Sequence, residues 1–311
     1  MSDVGKHLFS GALSGLTSSL FLQPFDLIKT RLQQGDATLG AKQRGAIRST
    51  ARAIVSSSSN GVLGLWRGTS ATLIRNVPGI ALYMTGLNQA RGFMAVSPIF
   101  AAVRKRDPER HSSVLPVLTN SGNLLAGATT RVAVGFVLNP LSVLKARYES
   151  NLHAYSSLIS SARSITRAGP SELFRGFLAS SLRDAPYAGL FLVFYEGVKH
   201  EAASILPPSS PLTSAMLHSC SAAAAGTVAT LATHPFDVIK TRMQVRTEQK
   251  YHGLTRTVLA VWNERGIYSF FDGASLRLSR KILSSAIGWA VYESLLVFAR
   301  SRNVQKSGLY S

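Results

Sequence analysis

One ten-residue phrase occurs twice in this chain and a third time in degraded form. Pro24-Phe25-Asp26-Leu27-Ile28-Lys29-Thr30-Arg31-Leu32-Gln33 returns as Pro235-Phe236-Asp237-Val238-Ile239-Lys240-Thr241-Arg242-Met243-Gln244. The copy between them reads Pro140-Leu141-Ser142-Val143-Leu144-Lys145-Ala146-Arg147-Tyr148-Glu149. Each copy is followed by a glycine, an aromatic five residues later, and a second glycine two beyond that: Gly61…Trp66-Arg67-Gly68, Gly169…Phe174-Arg175-Gly176 and Gly266…Phe271-Asp272-Gly273. A period of this kind constrains the fold before any local propensity does, because each unit must bury its apolar face against its neighbours. The chain divides accordingly into 1–98, 99–203 and 204–311. The extra length of the first third falls in two loop-like stretches, Gly35–Lys42 and Ala95–Pro116.

Charge then selects the environment. Of 311 residues, 46% are hydrophobic and only 16% charged, and 34 Lys+Arg stand against 15 Asp+Glu for a net charge of +19. A soluble domain carries about 25% charged residues, so two classes remain: a nucleic-acid binder, or a membrane protein that keeps its cations out of lipid. Residues 8–25, 132–144 and 202–233 carry no charge and are rich in Gly, Ala, Ser and Thr. Small residues such as Gly11 and Gly15, four apart, let helices approach closely in a membrane. A nucleic-acid binder would cluster its cations on one face among aromatics; here many are distributed around the repeated motifs, which favours the membrane. The single cysteine, Cys220, excludes an internal disulfide. His7, His111, His218 and His234 have no ligand spacing, and no nucleophile–base set is visible, so the expectation is a protein without metal, cofactor or enzymatic activity. Met1–Lys6 contains Asp3 and lacks the Arg-rich pattern of a transit peptide, so no separate targeting segment is expected.

The repeated motif with its aromatic–x–Gly partner resembles the mitochondrial carrier family over nearly the whole chain. The resemblance implies an all-α membrane protein, a pseudo-threefold bundle of six transmembrane helices with short matrix-side helices, multi-pass in the inner mitochondrial membrane. The spans are expected near 7–34, 69–92, 117–148, 177–200, 212–243 and 274–299, and the surface helices near 43–57, 156–167 and 254–264. Prolines inside helices remove a hydrogen bond and bend them, so kinks are expected at Pro24, Pro140 and Pro235. Asp and Lys three residues apart share a helix face. The resemblance implies that Asp26 pairs with Lys145 and Asp237 with Lys29 to close the matrix side, braced by Gln33, Gln244 and Glu149. Ser142 stands where the third acid belongs and leaves Lys240 without an ionic partner. At the cytosolic end, Tyr195-Glu196-Gly197-Val198-Lys199 matches the family pattern, while Asn88 and Leu296 depart from it. Arg91/Glu196 and Lys199/Glu293 are the pairs this leaves.

The same resemblance places substrate contacts halfway along the even-numbered spans: Arg75-Asn76, Arg183-Asp184 and Arg280-Lys281. A cation at such depth costs at least about 2.5–3.5 kcal/mol, which argues for use. An Arg beside an acid suits a zwitterion, the guanidinium forking onto a carboxylate and the acid meeting an ammonium. Arg183, helped by Arg75 and Lys281, is assigned to the carboxylate and Asp184 to the ammonium; the alternative is that Asp184 neutralises Arg183 without touching substrate. Tyr83, Tyr187 and Phe191 either crowd the site or simply pack. Leu182-Arg183-Asp184-Ala185-Pro186, Lys145–Ser150 and Ala232–Thr241 resemble the glycine carriers of the family, which implies glycine import into the matrix for haem synthesis. Other small amino acids, or a small anion such as an isoprenoid pyrophosphate, remain alternatives, as does a non-transporting membrane scaffold. Lys42, Arg44, Arg48 and Arg52 would meet anionic lipid such as cardiolipin, and a monomer suffices.

Overall fold

The computed structural model describes residues 16–35, 43–58, 61–96, 119–153, 155, 157–205 and 211–287, which are helices and short connections without a strand. In chain order they are α1 (16–21), α2 (Gln23–Gln33), α3 (Gln43–Ser57), α4 (Thr69–Val96), α5 (Asn120–Val137), α6 (Asn139–Glu149), α7 (Leu158–Arg167), α8 (Pro170–Leu173), α9 (Phe177–Ile205), α10 (Pro211–Ala232), α11 (His234–Val245), α12 (Leu254–Arg265) and α13 (274–287). Within the described residues the helices follow the expected spans to within a few residues. The first nine residues of the span 7–34 and the last twelve of the span 274–299 fall outside the described residues.

The expected kinks are complete breaks, and they come two residues before each proline. Leu22, Leu138 and Thr233 have nearly the same backbone, φ −98°, −93° and −94° with ψ 3°, 2° and 0°. This sparsely populated conformation lies outside the helical well. A new helix starts at the next residue, so each proline sits in a first turn, where its missing N–H costs nothing. Between α5 and α6 the chain turns by 64°. The carbonyl of Leu20, which Pro24 cannot serve, accepts from Trp66 Nε1 at 2.9 Å, so the motif's downstream aromatic repairs a bond that its proline removes.

The second halves of the broken helices close a ring: α2 packs on α6, α6 on α11, and α11 on α2. α4 and α9 stand outside it, each longer than the 20 residues a membrane crossing needs. No single described helix is both long and apolar enough to cross a membrane alone; α5 and α6 together satisfy that test as a bent pair. The reason is local. α4 carries Arg75 and Arg91, and α9 carries Arg183, Asp184, Glu196, Lys199 and Glu201, on helices that are otherwise mostly apolar. Their outer faces are strongly apolar, with Phe93 81% and Val96 85% exposed.

Candidate functional site

The ring carries ionisable side chains at equivalent positions, and the structure joins them corner by corner. At one corner Lys145 Nζ donates to Asp26 Oδ2 at 2.9 Å, and Arg280 Nε pairs with Asp26 Oδ1. At another, Lys29 pairs with Asp237 Oδ2 while Arg183 Nη1 donates to Oδ1 at 2.8 Å. Each carboxylate is thus held by a lysine from the next broken helix and an arginine from an unbroken one. At the third corner the arginine is Arg75, whose Nε donates to the Ser142 hydroxyl at 2.7 Å. Lys240, which is 7% exposed, makes no hydrogen bond or ion pair with any described residue.

The braces are unequal. Gln33 Nε2 donates to Asp237 Oδ2 at 3.2 Å and its Oε1 accepts from Thr241. Glu149 lies 3.6 Å from Lys145 and accepts from Thr30 and Gln23. Gln244 braces no pair: it reaches the Arg175 carbonyl at 3.5 Å and lies against Gly176. With Ser142 in place of the acid there is no pair for it to support.

Asp26, Lys29, Arg75, Asn76, Ser142, Lys145, Arg183, Asp237, Lys240 and Arg280 face one cavity of about 350 Å³. A second, of about 320 Å³, continues from it past Asn76, Tyr83, Arg131 and Asp184. Arg183 holds Asp184 in a two-pronged pair, at 2.7 and 2.9 Å, as well as Asp237. The donors of Arg183, expected to meet a substrate carboxylate, here serve two protein carboxylates. Lys281 departs from expectation: it sits 3.8 Å above the Tyr187 ring and 3.4 Å from Thr230 Oγ1, away from the central cavity. Tyr187, Phe191 and Tyr195 stack in sequence along α9, which is packing rather than crowding. Asn76 donates to Ser19 at 3.2 Å.

Two sets of contacts around the ring were not anticipated. The arginine two residues after each motif lysine donates through Nε to a backbone carbonyl on the next repeat: Arg31 to Glu149, Arg147 to Gln244 and Arg242 to Gln33. The residue before each proline docks on the aromatic–x–Gly turn: Gln23 to the Arg67 carbonyl, Asn139 to that of Arg175, His234 to that of Asp272. The signal was present, a polar residue before every proline and an arginine in every copy. Backbone partners leave no trace in side-chain spacing. On the adjoining surface Glu172 receives Arg147 and Arg175. Burial pushes the Glu172 carboxyl up, but the two guanidinium groups outweigh it and hold the group below the ordinary carboxylate range.

At the opposite end Asn88 and Arg91 lie on α4, and Glu196 and Lys199 on α9. Arg91 Nε is buried without a hydrogen-bond partner among the described residues. Glu293 and Leu296 lie outside the described residues.

The family described as mitochondrial carrier protein matches residues 2–97, 117–204 and 212–303. A protein of Laccaria bicolor named mitochondrial glycine transporter is 60% identical, covering 97% of this chain and 99% of its own. Proteins of the same name from Coccidioides immitis and Aspergillus niger are 42% and 43% identical, over 95% and 94% of this chain and 90% of theirs.

Proposed function

Because this chain belongs to the mitochondrial carrier protein family, we propose that it carries glycine into the matrix across the inner mitochondrial membrane by alternating access. The observation that carries this reading is the central cavity, whose wall mixes cations with carboxylates at the ring where the repeats meet. A zwitterion needs both signs; Asp184 beside Arg183 adds a carboxylate to the cavity wall outside the gate pairs, where a nucleotide or pyrophosphate site would want cations alone. The full-length likeness to proteins named for glycine transport supports the choice of amino acid.

The ring network is the matrix gate, and the α4–α9 end with Asn88, Arg91, Glu196, Lys199 and Glu293 is the cytosolic one. Removing one partner of a buried ion pair costs about 3–5 kcal/mol, and a millimolar ligand supplies only about 4 kcal/mol. Glycine has few atoms with which to offset gate opening. A gate with carboxylates at two corners instead of three is matched to so small a cargo. The protein works as a monomer, multi-pass in the membrane, and the exposed Arg48 and Arg52 on α3 meet anionic headgroups such as cardiolipin.

Purified protein in liposomes tests the reading by uptake of radiolabelled glycine against unlabelled alanine, serine and pyrophosphate. Saturable uptake, competed far better by glycine than by pyrophosphate, is expected. Pyrophosphate-sensitive uptake of an anion without glycine movement would overturn it.

A further inference from the structure

Two corners of the ring show what the third takes. Asp26 lies between Lys145 and Arg280, and Asp237 between Lys29 and Arg183. The third corner presents the same two cations, Lys240 on α11 and Arg75 on α4, with a hydroxyl in place of the carboxylate. Arg75 gives that hydroxyl only Nε, and its Nη1 reaches the Asn76 side chain at 3.3 Å. Lys240 is within electrostatic reach of Arg75 and Arg183 and also of Asp184 and Asp237, yet no carboxylate among the described residues pairs with it directly. A buried ammonium without a direct partner is costly. The other four ring cations have acids of their own, and Asp184 is occupied by Arg183 on both oxygens. Ser142, Lys240 and Arg75 all face the central cavity.

We propose that the substrate carboxylate binds at this corner, between Lys240 and Arg75 and beside the Ser142 hydroxyl, and so supplies the third acid of the ring. The inference rests on the glycine reading above and deepens it by locating the carboxylate. Binding there joins α11 to α4 and α6 through the substrate, so cargo occupancy and the state of the gate become one event. Ser142 then has a function as a non-acid: it keeps the corner for the cargo. A residue whose own carboxylate reached the two cations would compete with glycine.

Two variants and one ligand comparison test this in the full-length protein. Ser142→Asp puts a protein carboxylate at the corner; it is expected to lose at least nine-tenths of glycine uptake while unfolding at a higher temperature than the wild type. Lys240→Gln is expected to raise the KM for glycine at least tenfold, and Lys240→Arg to restore most of it. In detergent, glycine should raise the unfolding temperature of the wild type, glycinamide should not, and Lys240→Gln should lose the glycine response. Should Ser142→Asp not fold, the Lys240 pair and the ligand comparison decide. Wild-type KM in Lys240→Gln, or equal stabilisation by glycinamide, would overturn the assignment while wild-type glycine uptake still upheld the transport reading. Absence of glycine uptake by the wild type would instead bring down that reading itself.

Discussion

At the scale of single residues, the chemistry of the ring depends on which arginines are already committed. The sequence pairs Arg183 with Asp184 by adjacency alone. The structure adds Asp237, 54 positions away, a contact that ties α9 to α11. Glu172 is the clearest case outside the membrane. It ties Arg147 and Arg175 to the turn before α9, and charged hydrogen bonds of this kind contribute about 1.5–3 kcal/mol each. Glu172→Gln is therefore expected to lower the unfolding temperature at neutral pH. Because the folded-state pKa is depressed, the wild type's advantage is present above the ordinary glutamate range and is lost as pH falls through the folded value. Unfolding curves of both proteins, followed from pH 7 to well below the ordinary glutamate range, should converge at the acid end; an advantage that grew on acidification would contradict the account.

At the scale of elements, the motif proline and its downstream aromatic–x–Gly turn form one device. The proline ends hydrogen bonding along the first half-helix, the pre-proline side chain anchors to the turn, and in the first repeat Trp66 serves the freed carbonyl. Trp66→Phe keeps the ring and removes the donor, so a loss of about 1 kcal/mol is expected, read as a lower unfolding temperature. Gly176 closes the second turn with φ +73°, and an added Cβ would lie 2.9 Å from Gln244 Cγ and 3.1 Å from the Lys240 carbonyl. Gly176→Ala should destabilise by at least about 1–2 kcal/mol from the left-handed backbone alone. Much of this level was legible in advance: the repeats place the helices, and the i, i+3 spacing of Asp26 and Lys29 puts both on one face. What escaped was the position of the bend, ahead of the proline rather than at it, and the arginine-to-carbonyl links. Their partners lie about 100–200 residues away and are backbone atoms that every residue type possesses.

At the scale of the whole molecule, apolar outer faces surround a charged interior. The net charge of +19 is partly sequestered: Lys29, Arg75, Lys145, Arg183, Lys240 and Arg280 all turn to the central cavity. The ring end is tied by ion pairs at two of its corners. Alternation requires a second state, in which these ring pairs are open. Counterflow measures this most directly. Liposomes containing the protein and loaded with unlabelled glycine are diluted into a trace of labelled glycine. The account predicts a transient accumulation of label above its equilibrium level, because each outward turn of the carrier returns with labelled cargo. A smooth rise to equilibrium without overshoot, as through an open pore, or no uptake beyond protein-free vesicles, would contradict it.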